Sequence, residues 1–199
     1  MTTSQDPKFA LRELLSCRSP DPVNIARELD RLTHAERVLA LQGMRRDQFS
    51  LLYARVEGFA SMTLDALVPA QTPPLQPVRH IGRNSLPLFS SFEKRFYRLG
   101  TKAAVGGANF QSTSFATGPG YFTASPNAEG TEIVIDYSQI PELAPEGWPA
   151  LSDNDHGLGR LVYGGMIDTL RKVSEHVSIG AAHRRGQPPS AYFVLCRVP

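Results

Sequence analysis

Apolar residues in the opening part of the chain recur every three or four positions, which is the period of a helix buried on one face. Phe9, Leu11, Leu14 and Leu15 follow Asp6-Pro7, and Ile25, Leu29 and Leu32 follow Asp21-Pro22. In each pair Asp can cap a helix and Pro fits its first turn. Thr33-His34-Ala35-Glu36 has the form of a capping box, and Val38, Leu39 and Leu41 continue it as far as Gly43. Phe49, Leu52, Tyr53 and Val56 mark a fourth helix. The spacing therefore predicts a helical N-terminal segment over 1–68. Residues 69–77 hold four prolines, cannot continue a helix, and form a stiff linker.

From 78 to 199 the pattern predicts a second unit. Residues 78–81 suit a short strand. Leu88, Phe89, Phe92, Phe96 and Leu99 recur at helical spacing between Ser85-Leu86-Pro87 and Gly100, so 86–99 is expected to be a basic helix. Leu86, Leu88, Phe92 and Phe96 also fit one face of an alternating strand, which is the competing assignment. Residues 110–117, 121–124 and 131–137 alternate around Gly118-Pro119-Gly120 and 126–130, as in an antiparallel meander. Residues 138–156 form a long loop with three prolines and the sole tryptophan, Trp148. Leu158, Leu161, Val162, Met166, Thr169, Leu170 and Val173 give 157–173 the look of an amphipathic helix. Val173, Val177 and Ile179 and the run 191–196 supply a terminal hairpin. The sum is an α+β fold: an antiparallel sheet of five or six strands with helices packed on one face, preceded by the helical segment.

Composition narrows this picture. The chain has 199 residues, 41% hydrophobic and 20% charged, which is globular rather than disordered. No apolar run approaches the ~18 residues of a membrane span. The opening residues carry charges where a secretory core would lie, and Cys17 and Cys196 make neither a disulfide framework nor a zinc motif. A cytoplasmic protein with no membrane partner is expected.

The net charge of +2 hides a block pattern. Residues 76–102 carry six basic side chains against Glu93 alone, 103–156 carry seven acids and no Lys or Arg, and 157–199 carry six basic against two acidic. Such blocks either pack side by side as surface pairs or flank a cleft for an anion. The near-neutral total and the lack of an aromatic RNA-binding motif argue against nucleic acid. The five histidines show no metal-ligand spacing, and no Walker loop, GxGxxG or GxSxG occurs, so no metal is expected and no cofactor is indicated.

The best local constellation is His80-Ile81-Gly82-Arg83-Asn84-Ser85, placed just before the expected helix. Free amides at a helix N-terminus suit a phosphate or carboxylate, Arg83 could add a bidentate contact, and His80 a proton. His176, beyond the helical pair Asp168 and Arg171, is a second acid–base candidate if it faces a cleft. The 138–156 loop is either a lid carrying Trp148 or a structural strap. Tyr121 is a further ligand-contact candidate; it and Tyr137 fit sheet-face aromatics equally well.

A second set is Ser112-Thr113-Ser114 with Glu129 and Glu132. An early arginine, here Arg79 or Arg83, then Ser112-Thr113-Ser114 and Glu132 resembles the arginine-type ADP-ribosyltransferases. The spacing Glu129-x-x-Glu132 departs from that family's Glu-x-Glu. The resemblance implies NAD held by the arginine and by Ser112 and Ser114, with Glu132 as the catalytic acid.

The leading expectation is a pocket for a small anionic ligand, open to catalysis. Its catalytic candidates are His80, His176 and Glu132. Its binding candidates are Arg79, Arg83, Asn84, Ser112, Ser114, Tyr121 and Trp148. The alternative is a non-catalytic module meeting a protein partner through the N-terminal helices or the basic 86–99 helix. An NAD enzyme is the third expectation.

Overall fold

The computed structural model describes residues 6–87, 90–100, 104–110, 119–152, 154 and 163–199. Four helices come first: α1 (Pro7–Leu14), α2 (Pro22–Arg31), α3 (His34–Gln42) and α4 (Arg46–Arg55). Their starts are set by local chemistry. Asp21 accepts from the Val23 amide with Pro22 in the first turn. Thr33 and Glu36 exchange side-chain and backbone bonds in a complete capping box. A short fifth helix, α5 (Leu64–Leu67), precedes the strands.

Eight strands follow among the described residues: β1 (Val78–Asn84), β2 (Ser91–Arg98), β3 (Val105–Phe110), β4 (Tyr121–Pro126), β5 (Ile133–Asp136), β6 (Met166–Lys172), β7 (Val177–Arg184) and β8 (Ala191–Arg197). Each pairs antiparallel with the next, and β8 returns to pair with β1, so the sheet closes into an up-and-down barrel. The expected α+β sheet of five or six strands with helices on one face is therefore corrected to a closed barrel. The 86–99 helix is replaced by β2, and the last part of the 157–173 helix by β6; residues 155–162 lie outside the described residues.

The reason lies in the inward positions. On β2, Phe92, Lys94 and Phe96 share the inner face, and the Phe92–Phe96 interval fits a helix as well as a strand. On β6, Met166, Asp168 and Leu170 point inward. A charged residue at the middle inward position of each strand breaks the apolar alternation that marks a half-buried strand.

Among the described residues there are two apolar cores. One fills the barrel, with Phe96, Phe122, Ile133, Ile135, Leu170 and Leu195. Met62, Leu67 and Val68 join it, so α5 and its flanks close one end of the lumen. The other lies outside the wall. Ile25, Leu29, Leu41, Phe49 and Leu52 of the helices pack on Val177, Ile179, Val194 and Cys196, the outward residues of β7 and β8. The helical segment thus docks on the barrel, where it buries its apolar stripes.

The charge blocks resolve as neighbours. Outside the barrel Glu93 pairs with Arg79 across the β1–β2 ladder and with Arg95 two residues along β2. Arg171 meets Glu132 at 2.5 Å, and Arg185 meets Asp136 at 3.5 Å, each joining the acidic stretch to the last basic one.

Candidate ligand cavity

Among the described residues, nothing covers the end of the lumen opposite α5. That end forms a cavity of about 350 Å³ lined by Leu86, Phe92, Tyr163, Met166, Ala182, Ala191 and Phe193, with Asn84 and Ser190 toward its mouth. An eight-stranded barrel is just wide enough inside for packed side chains or one small ligand. Glycines in the wall make room for rings that project inward: a Cβ at Gly82 would stand 2.6 Å from the Phe92 ring, and one at Gly180 would overlap Phe193.

The floor is polar. Lys94 on β2 and Asp168 on β6 lie four strands apart in either direction around the barrel, so they face each other across the lumen. Their side chains are 3% and 2% exposed, and Lys94 Nζ is 3.0 Å from Asp168 Oδ2. Asn109, beside Lys94 in the β2–β3 register, accepts from Nζ at 2.9 Å. Tyr137, just past β5, accepts from Nζ through its hydroxyl. The same hydroxyl accepts from Asn109 Nδ2 at 2.9 Å and donates to Asp168 Oδ2 at 3.1 Å. Rings of Phe122, Tyr137 and Phe193 stand 4.9–5.2 Å from Nζ, within cation–π range.

Burial pulls the Lys94 pKa down, and the Asp168 carboxylate opposes that pull. Three acceptors surround Nζ, which matches the three N–H groups of an ammonium, so we describe the amine as charged. Burial and the adjacent carboxylate hold the Tyr137 phenol well above its usual range, and it stays neutral. One floor atom is left over. Asp168 Oδ1 is buried and has no hydrogen-bond partner. An unsatisfied buried acceptor costs on the order of 1–3 kcal/mol, and more when charged. With its nitrogen committed to three oxygens, Lys94 has no lone pair to offer as a nucleophile.

Residues singled out from the sequence fall elsewhere. His80 points into the barrel, but at the closed end. It is buried, donates from Nε2 to the Leu67 carbonyl at 2.9 Å, meets the Phe96 ring edge-on, and is held by desolvation at a pKa of about 4. Arg83, on the opposite face of β1, donates to the Leu41 and Gln42 carbonyls at the end of α3. With no helix starting at 86, the free amides expected beside Arg83 are absent. Ser85 instead ties β1 to β8, accepting from the Tyr192 amide at 3.1 Å. Asn84 alone of that constellation reaches the cavity, and its Oδ1 accepts from the Leu86 amide at 3.0 Å.

His176 and Arg79 share a separate outer cleft with Arg197. There Arg79 is paired to Glu93, and Arg197 is spent on the Asp65 and Ala66 carbonyls and on His176. Glu132 is bound to Arg171 outside the barrel and does not meet Arg79. Ser112, Thr113 and Ser114 lie outside the described residues.

Trp148 packs on the outer wall against Tyr97, Phe110 and Tyr121, at ring separations of 5.4, 4.8 and 6.2 Å. Tyr97 and Tyr121 donate to the Leu143 and Pro149 carbonyls, at 2.6 and 2.5 Å. The described part of the 138–156 stretch is a strap along the barrel.

The four floor residues were not recognisable as a group. In the sequence Lys94 falls within the basic 76–102 block, Asp168 forms a helix-spaced pair with Arg171, and Asn109 belongs to no motif. The available clue was an isolated charge flanked at i±2 by apolar residues, as in Phe92-x-Lys94-x-Phe96 and Met166-x-Asp168-x-Leu170. No protein-family model matches the chain, and no curated protein matches it.

Proposed function

We propose that the barrel is a binding protein for one small, largely apolar molecule, which lies in the cavity opposite α5 and rests its polar end on the Lys94–Asp168 floor. The observation that carries this reading is a mostly apolar cavity of about 350 Å³ that ends on a buried ionic pair. Ligand sites are commonly apolar cavities of this size with a few placed polar groups, and the mouths of β-barrels are among their usual places. An anionic head, expected from the arginines, is not carried into this reading. Arg79 and Arg83 lie outside the lumen, and a ligand carboxylate on the floor would meet the Asp168 carboxylate.

A cytoplasmic setting belongs to the same proposal. Cys17 and Cys196 are both free thiols, as a reducing compartment would keep them, and no described helix is long and apolar enough to cross a membrane.

The test uses the neutral fluorophore N-phenyl-1-naphthylamine. The wild-type protein is expected to enhance its emission with 1:1 saturation. Ala182→Trp, which fills the lumen, is expected to abolish that signal while circular dichroism still reports a folded barrel. Undiminished binding in the filled variant, or none in the wild type, would refute the reading.

A further inference from the structure

We infer that the ligand's polar end is a neutral hydrogen-bond donor, an alcohol O–H or amide N–H, held by Asp168 Oδ1; this rests on the binding role proposed above. The argument is a count of donors and acceptors on the floor. Lys94 places its three N–H groups on Asn109, Tyr137 and Asp168 Oδ2. Tyr137 accepts two bonds and donates one. Lys94 and Tyr137 therefore have no donor left for a ligand. Asp168 Oδ1 remains as a buried acceptor without a partner, on a residue that lines the cavity. The other such atom among the described residues, Ser174 Oγ, sits near His80 toward the closed end. Asn109 Nδ2 has a second N–H beyond its bond to Tyr137, so the floor can also give a bond, and a head with an O–H or N–H is what fills Oδ1.

Charge decides which donor. Lys94 and Asp168 neutralise each other inside a low-dielectric lumen. An added carboxylate would be repelled by Asp168 and an added ammonium by Lys94, and either would carry a net charge into the barrel. A neutral head avoids both costs. The walls of Phe92, Met166 and Phe193 then receive an apolar body.

Two isomers separate the possibilities, 1-nonanol and methyl octyl ether. They have the same atoms and nearly the same length, and only the alcohol has an O–H. Each is titrated against bound N-phenyl-1-naphthylamine. The wild type is expected to prefer the alcohol by about tenfold or more, because the bond is made to a charged acceptor. In Asp168→Asn the amide oxygen takes over the bonds from Lys94 and Tyr137, which turns Nδ2 toward the cavity. That variant is expected to lose the preference, because an alcohol oxygen and an ether oxygen both accept from Nδ2. Should it fail to fold, Lys94→Met combined with Asp168→Leu removes the pair without stranding a charge and is expected to bind both isomers alike. Equal displacement by the two isomers in the wild type, or displacement by neither, overturns the inference while leaving the binding role intact. Absence of fluorophore binding overturns the binding role itself.

Discussion

Replacing Lys94 by methionine removes one half of an ion pair whose other half cannot reach water. Asp168 is 1% exposed and would keep only the Tyr137 hydroxyl as a donor, at 3.1 Å, with Oδ1 still unpartnered. Stranding a buried charge in this way costs roughly 3–5 kcal/mol. Against a total stability of about 5–15 kcal/mol for a domain, that is enough to bring the barrel near its unfolding midpoint. Replacing both partners, Lys94→Met with Asp168→Leu, removes the attraction and the desolvation penalty together. Such exchanges are often neutral or stabilising by about 1–4 kcal/mol. The assay is urea unfolding of the wild type, both single variants and the double variant, followed by circular dichroism. The expected pattern is a large loss in Lys94→Met and its recovery in the double variant. A loss below about 1 kcal/mol in Lys94→Met, which is the range of exposed pairs, would refute the claim that this pair is sealed inside the barrel.

Two further outcomes are expected. His80 is held at about 4 in the folded chain against an ordinary 6.5, so the unfolded chain takes up its proton first as pH falls. Its contribution is intact above pH 6.5 and is lost between there and about 4, on the order of 3 kcal/mol, so urea unfolding of His80→Leu should show a shallower decline over that window; parallel curves would refute the burial argument. Arg83→Ala should lower stability by about 1 kcal/mol through the lost bonds to the Leu41 and Gln42 carbonyls, and should leave N-phenyl-1-naphthylamine binding unchanged; weakened binding would put Arg83 back in the site.

How much of this was legible in the sequence depended on what each element buries. The helices were readable because their caps are local: Asp21-Pro22 and Thr33–Glu36 act within one turn of chain. The strand at 131–137 was readable because its inward side chains, Ile133, Ile135 and Tyr137, are all apolar or aromatic. β2 and β6 were not, since Lys94 and Asp168 stand where alternation demands an apolar residue. Each is tolerable there only because the other arrives from across the lumen, and no pattern along the chain announces such a meeting. The residues that give the cavity its chemistry are thus the ones that hid the barrel. The arginines at 79 and 83 drew attention by their charge, yet both serve the outer wall.

The helical segment lies where the barrel closes on itself. β8 meets β1 at a junction between stretches more than a hundred residues apart, Ile81 opposite Cys196 and Arg83 opposite Val194. α3 covers the outer side of that junction, with Val38 and Leu41 beside Ile81, Val194 and Cys196 and Arg83 reaching up to it, while α4 packs on β7 and β8. The helices therefore act as a clasp. Without them the seam would have to hold by its own ladder, and an apolar strip of β7 and β8 would lie bare; if the seam then parted, β8 would become a free strand ready to pair with its like in another molecule. The cover of this seam thus comes from a part of the chain that lines none of the cavity among the described residues.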